Sequence, residues 1–159
     1  MPVGESRLLR YEGLNDQAAA LWRQWLALYE DQFASFAYNV RVGQGLNPGP
    51  SATDQMREYW RLVTTKRIDV VAQRAGQTWV IEIEPRPGLR TFGQVQGYMH
   101  LLPKFQPVAE QLIGAVVCAT MGHDMASIFK THNIPYFVFR AGRPPTLPPT
   151  FPPSLPTAA

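Results

Sequence analysis

The sequence predicts one α/β domain that is built on a mixed sheet with helices on both faces. Three observations support this prediction. Helical and alternating apolar patterns follow one another in the order α-β-(α)-β-β-α-β-α-β along the 159 residues. Two of the predicted strands are joined by only four residues, which indicates an antiparallel hairpin. A later run, residues 113–120, is almost wholly apolar, as is typical of a strand that is buried on both faces.

The first elements are predicted from their apolar spacing. Apolar residues recur at helical spacing through residues 15–33, and Asn15 is a favourable N-cap. Residues 35–43 alternate between apolar and polar side chains, which predicts a strand. Residues 45–52 are rich in proline and glycine and are expected to form a loop, followed by a short helix through about Leu62.

The remaining elements follow from the same patterns. Residues 67–73 and 78–84 alternate and form the two strands of the hairpin. Helical spacing returns at residues 89–102, after a break that contains two prolines. Residues 123–132 are predicted to form a short helix, and residues 134–139 a last strand.

The sequence changes character after the last predicted strand. Residues 141–159 contain seven of the fifteen prolines and repeat Pro-Pro-Thr/Ser-Leu/Phe three times, which predicts polyproline II rather than helix or sheet. We therefore divide the chain into a folded domain at residues 1–140 and an extended tail at residues 141–159. The tail is either a loose segment or an arm that docks on another chain through Leu147, Phe151 and Leu155.

The composition excludes several classes of protein. Apolar residues make up 45% of the chain and charged residues 17%, so the chain can bury a core and is not wholly disordered. No apolar run approaches the roughly 18 residues of a membrane span, and we expect no secretory signal at the N-terminus. The single cysteine, Cys118, excludes internal disulfides and thiolate metal sites. A cytosolic location, or assembly into a particle inside a cytosol, is therefore expected.

The charge balance leaves the partner open. The net charge is +3, and twelve of the fifteen basic residues are arginine. Because the guanidinium group binds phosphates and carboxylates equally well, the arginines could serve nucleic acid, a protein partner or internal ion pairs.

The predicted hairpin brings acidic side chains together. If the turn is centred on the four-residue connection, Asp69 lies opposite Glu82 and Arg67 lies opposite Glu84. The other face of the hairpin is apolar and is expected to face the core through Ile68, Val70, Ala72, Trp79, Ile81 and Ile83. Because like charges repel at the ~4.5–5.5 Å that separates opposite Cβ atoms, the carboxylates must be solvated, share a proton, or be bridged by arginine or a divalent cation.

These residues resemble the PD-(D/E)XK nuclease superfamily, whose pattern is an aspartate, a hairpin and then acid-x-lysine. Asp69 is followed thirteen residues later by Glu82 in the sequence Glu-Ile-Glu. The next predicted helix contains Gln94 and Tyr98, which resemble the Gln-x-x-x-Tyr motif of RecB-like nucleases. The order α-β-β-β-α-β over about residues 15–120 is similar to the core of the superfamily. The resemblance thus implies a restriction-endonuclease-like mixed sheet, extended here by a further α-β pair.

The resemblance also implies metal-dependent hydrolysis of phosphodiester bonds. In this interpretation Asp69 and Glu82 hold Mg²⁺ or Mn²⁺, and Glu30 on the first helix is the candidate for a third acidic ligand. Gln94 and Tyr98 would orient the substrate or a ligand carboxylate, although ordinary helix polarity and core packing would also explain both residues.

The sequence departs from the superfamily pattern at the lysine, which is replaced by Glu84. Some restriction enzymes of this fold use glutamate at that position and remain active, and Arg90 could supply the missing positive charge. If Glu84 instead pairs with Arg67, the position becomes an internal salt bridge. The site would then bind metal more readily than it positions a nucleophile.

Two functions are therefore expected, and we prefer the first. The chain is a structural or adaptor component of a larger assembly, with weak or no catalysis, because the lysine is missing and the tail could bind partner proteins or further copies. The sequence is also similar to small phage and prophage proteins, which favours a virion, for example its head-to-tail junction, or the host cytosol. The alternative is a Mg²⁺-dependent DNA nuclease that uses Asp69, Glu82 and Glu84. No membrane partner is expected.

Overall fold

A five-stranded mixed sheet forms the centre of the structure, a computed structural model that describes residues 11–148. The strands are β1 (Ser35–Val42), β2 (Lys66–Arg74), β3 (Gln77–Ile83), β4 (Gln111–Cys118) and β5 (Tyr136–Val138). They lie in the order β1-β2-β3-β4-β5; the first three are antiparallel neighbours, and β4 and β5 run parallel to β3. The predicted α/β class with a mixed sheet is confirmed.

Four helices connect these strands. They are α1 (Asp16–Tyr29), α2 (Asp54–Thr64), α3 (Leu89–Phe105) and α4 (His123–Thr131). Asn15 caps α1 as predicted, because its Oδ1 accepts from the N–H of Ala18 at 2.9 Å. Helix α1 is shorter than predicted, since a 3₁₀ turn, Glu30–Gln32, replaces its last turn. The order α-β-α-β-β-α-β-α-β is the one that the sequence predicts.

The helices form layers on both faces of the sheet. On one face Trp22 and Trp25 of α1 are fully buried, and their rings stack 4.7 Å apart in a cluster that includes Trp79. Leu102 of α3 and Phe129 of α4 are buried on the opposite face. No helix in the described part of the chain combines the length and the apolar character that crossing a membrane requires.

The predicted register of the hairpin is confirmed where the ladder forms. Val71 lies opposite Val80, and the ladder ends at the pair Val70 and Ile81. The prediction for Ile68 is wrong: it packs with Val71 and Val80 on the α3 face, whereas Val70 packs on the α1 face. The alternation reverses at Asp69, and at this point the β1–β2 pairing omits Asp69 and Asn39, the latter with a left-handed φ of 54°.

The beginning of the tail folds back on its own domain. Thr146 pairs with Val138 of β5 through two backbone hydrogen bonds of 2.8 and 2.9 Å. Leu147 lines a cavity of about 410 Å³ between this segment and α4. The prediction that Leu147 docks on another chain is therefore not supported, because the free edge of β5 holds the segment. Phe151 and Leu155, the other predicted docking residues, lie outside the described residues.

Candidate active site

The candidate site lies where the β2–β3 ladder ends and side chains replace backbone groups as partners. Asp69 Oδ2 accepts a hydrogen bond from the N–H of Ile83 at 2.9 Å. Glu82 Oε1 accepts from the N–H of Asp69 at 3.1 Å. The two carboxylates are therefore fixed side by side, each by a backbone group of the opposite strand. The structure thus brings together the two acids that the predicted register of the hairpin places opposite each other.

Each of these carboxylates keeps one oxygen available. Asp69 Oδ1 and Glu82 Oε2 have no hydrogen-bond partner in the described part of the chain, and neither is among its fully enclosed polar atoms. Both residues line a cavity of about 210 Å³. The free oxygens can therefore bind a proton, a cation or a ligand that enters this cavity.

The cavity is formed where the end of β3 meets the N-terminal ends of α1 and α3. It is lined by Gly13, Leu14, Asn15, Ala18, Asp69, Glu82, Ile83, Glu84, Arg90, Thr91 and Gln94. Because helix N-termini carry partial positive charge, both helices favour an anion at this place, and Arg90 adds a full charge. Acidic and basic groups thus face the same space, which suits a ligand that consists of a cation and a phosphate.

Burial gives the two acids unusual proton affinities. Desolvation raises the pKa of Asp69 to about 6, against the lowering effect of the Ile83 N–H, and the charge of Glu84 adds to the rise. Desolvation and then the nearby charge of Asp69 raise the pKa of Glu82 to about 9, with a smaller rise from Glu84 and against the lowering effect of the Asp69 N–H. At neutral pH without a metal the pair therefore favours holding a proton, which reduces the repulsion between the two carboxyl groups. A bound cation would replace this proton as the compensating charge.

Glu84 lies exposed at the mouth of the cavity, just beyond β3. Its Oε1 accepts from the N–H of Arg86 at 3.4 Å. The predicted salt bridge with Arg67 is wrong: the described residues contain no such ion pair, and Arg67 Nη2 donates instead to the carbonyl oxygen of Leu62 at 3.4 Å. The reason is that the β2–β3 ladder ends before it reaches Arg67, which pairs with Arg41 of β1.

Gln94 and Tyr98 lie one turn apart on α3 but have different surroundings. Gln94 lines the cavity. Tyr98 is only 6% exposed and packs with Val71 and Val80 behind it. Burial raises the pKa of Tyr98, the charge of Glu82 raises it further, and a side-chain hydrogen bond with Gln94 opposes the rise. Of the two, Gln94 is therefore the one that can contact a ligand in the cavity, and Tyr98 supports the Gln94 side chain through their hydrogen bond.

Glu30 does not reach the site. The residues of α1 that line the cavity are at its N-terminal end, whereas Glu30 follows its C-terminal end. Eleven residues of helix between Ala18 and Tyr29 correspond to about 16 Å. The direction of α1 thus contradicts the prediction that Glu30 completes a metal site. The polar residue that α1 does bring to the cavity is Asn15, whose sequence position predicts only a helix cap.

The donor set fits a cation that keeps most of its water. Within the described residues no three His, Cys, Asp or Glu side chains are arranged to hold a metal ion together. Asp69 and Glu82 remain, each with a free oxygen. Mg²⁺ in proteins is commonly held by one or two carboxylates and keeps several waters, so two carboxylates are sufficient for it.

Two solved structures are similar in fold, whereas no protein-family model and no curated protein matches the chain. One is a repair endonuclease from Pyrococcus abyssi, with a TM-score of 0.47 and 13% identity over 81% of this chain. The other is an EndoMS–double-stranded DNA complex, with a TM-score of 0.46 and 12% identity over 86% of this chain. The chain spans about half the length of each, 49% and 50% respectively.

Proposed function

We propose that the chain is a metal-dependent phosphodiesterase that acts on nucleic acid and that the cavity at the end of the hairpin is its active site. The observation that carries this proposal is the pair Asp69 and Glu82. Both line the polar cavity, both are largely buried with a raised pKa, and each has only one carboxylate oxygen in a hydrogen bond. Two buried acids that are only half satisfied are costly in a site that serves the fold alone.

The other residues of the cavity have roles that follow from their positions. Asp69 and Glu82 would hold Mg²⁺ or Mn²⁺, which would supply Lewis-acid chemistry and make water a better nucleophile. Arg90 and the N-terminus of α3 bind the phosphate. Glu84, which is exposed at the mouth, accepts a proton from the attacking water. Gln94 orients the phosphate through its amide, and Tyr98 fixes that amide.

A second candidate function is favoured by one observation, the glutamate at position 84. In this alternative the chain is a structural component, for example of a phage virion at its head-to-tail junction or in the host cytosol, and the cavity binds a cation without hydrolysis. Residues 149–159 then provide the contact with protein partners. This alternative shares the cation site with the first candidate and differs from it in catalysis.

The cation site is tested by thermal unfolding of the full chain. Millimolar Mg²⁺ or Mn²⁺ is expected to raise the Tm by about 3–8 °C, because the cation binds only the folded state. Asp69→Asn and Glu82→Gln are expected to abolish this rise. Glu110→Gln, an exposed acid before β4 at the other end of the sheet, is the matched control and keeps it. An unchanged Tm of the wild type in metal would overturn the site.

Catalysis is tested with labelled single- and double-stranded DNA in Mg²⁺ and in Mn²⁺. The wild type is expected to cleave, and Asp69→Asn is expected to lose at least about a hundredfold in rate, because the cation is lost with its ligand. Metal-dependent stabilisation without cleavage would reject the phosphodiesterase and favour the structural component. Cleavage that Asp69→Asn retains would show that the activity belongs elsewhere.

A further inference from the structure

Helix α2 leaves its apolar side chains exposed. None of its residues is buried, whereas α1, α3 and α4 each bury at least one side chain. Its polar side faces the preceding loop, since Arg57 Nη2 donates to the carbonyls of Gly49 and Pro50 and Thr64 Oγ1 accepts from the N–H of Leu46. The apolar side is between 37% and 62% exposed and consists of Met56, Tyr59, Trp60, Leu62 and Val63.

The exposed helix is connected to the end of the sheet that carries the cavity. Its C-terminal end is tied to the sheet because Arg41 Nη1 and Arg67 Nη2 both donate to the carbonyl oxygen of Leu62, at 2.9 and 3.4 Å. Arg67 precedes Asp69 by two residues on β2, which is about 7 Å along the strand. The outward side of α2 and the acidic cavity therefore lie at the same end of the sheet.

The positive charge of the chain is concentrated in the same segment. Residues 41–67 contain five basic and two acidic residues, so this segment alone accounts for the net charge of +3. Arg57 and Arg61 are paired with acids of their own helix. Arg41, Lys66 and Arg67 are exposed and form no ion pair in the described part of the chain. Three cations without an ion pair thus lie near the C-terminal end of α2.

We infer that this surface binds single-stranded nucleic acid and leads it to the cavity, an inference that rests on the proposed function. Tyr59 and Trp60 offer exposed rings on which unpaired bases can stack, and Arg41, Lys66 and Arg67 neutralise the phosphates that follow. In a duplex the bases stack on each other and cannot use the rings. A protein partner would cover the apolar side chains but would not account for the three cations without ion pairs near them.

The first test measures binding to the full chain without metal, by fluorescence anisotropy of a labelled oligonucleotide and of its duplex. The single strand is expected to bind more tightly than the duplex. Tyr59→Ala and Trp60→Ala are each expected to weaken single-strand binding about tenfold and to leave duplex binding unchanged. The matched control is Phe105→Ala, which removes an exposed ring at the far end of α3 and is expected to have no effect.

The second test uses the salt dependence of the same binding. Lys66→Ala and Arg67→Ala are each expected to reduce the slope of log K against log salt by about 0.7, whereas Lys104→Ala, at the far end of α3, leaves it unchanged. Equal binding of single strand and duplex, or wild-type binding by the α2 variants, would overturn the inference. Loss of self-association in these variants with DNA binding intact would assign the surface to protein instead. Because no metal is present, failure of cleavage would leave this result unaffected.

Discussion

Strand β3 has buried polar side chains at both of its ends, and the two groups are satisfied in different ways. At its first residues the groups are neutral. Gln77 donates to the side chain of Gln111 at 3.0 Å and accepts from the indole N–H of Trp79 at 3.0 Å. Thr78 donates to Gln73 at 2.7 Å and accepts from the N–H of Ala109 at 2.8 Å. The side chains at this end both donate and accept hydrogen bonds within the protein.

The other end of β3 carries ionisable groups that are only half satisfied. Asp69 and Glu82 each make one hydrogen bond to a backbone N–H and leave one oxygen for the cavity. A buried network that is fully paired adds rigidity, whereas a partly paired one costs stability. The difference indicates that the first end of the strand stabilises the fold, whereas the second end lowers the folding stability and leaves groups available for a ligand.

The largest effect is expected at the neutral end. Gln77→Ala removes a fully buried side chain and the acceptor of the Trp79 indole, so it should destabilise the protein by about 3 kcal/mol. A Tm lower by roughly 6–12 °C would show this. Gln24→Ala, on the exposed side of α1, is the control and should change the Tm little. A small effect of Gln77→Ala would remove the contrast between the two ends.

A smaller effect of opposite sign is expected at the acidic end. The pKa of Glu82 is raised from 4.5 to about 9, so between these values the folded state binds a proton that the unfolded state releases. The stability of the metal-free wild type should therefore fall as the pH rises from about 5 to about 8. Glu82→Gln should remove most of this fall and should be more stable than the wild type at about pH 8. Parallel Tm profiles of the two proteins in chelator would contradict this.

The smallest effect is expected at Glu84. Since it is exposed and has no ion pair with Arg67, Glu84→Lys should change the free energy of unfolding by no more than about 0.5 kcal/mol. The new positive charge should lower the pKa of Asp69 and Glu82, because the negative charge of Glu84 raises both. Glu110→Lys serves as the control in the same pH titration. A decrease in the free energy of unfolding above about 1 kcal/mol would mean that Glu84 stabilises the fold.

The pairing of the two acids could be predicted because it depends on local chemistry. Alternating strands with four residues between them fix the register, and Gly76 adopts the left-handed φ of 75° that such a turn requires. The element order and the cap at Asn15 follow from equally local signals. Sequence patterns of this kind constrain residues that are close in the chain.

The predictions that are wrong depend on how elements far apart in the chain are arranged, which local sequence patterns do not determine. The salt bridge of Glu84 fails because the β2–β3 ladder stops at Val70, before it reaches Arg67, which pairs with Arg41 of β1 instead. Glu30 fails because the sequence does not give the direction of α1 relative to the cavity. Helix α2 has the same amphipathic pattern whether its apolar side faces the core or the solvent, so its exposure is visible only in the fold.

The two edges of the sheet have a consequence for concentrated solutions of this protein. An edge strand with an uninterrupted row of free N–H and C=O groups invites another copy to add a strand, which is the first step of aggregation. Here Asn39 has a left-handed φ of 54° in the middle of the edge strand β1, and Thr146 occupies the backbone groups of Val138 on β5. Each edge of the sheet is therefore less suited to adding a strand from another copy.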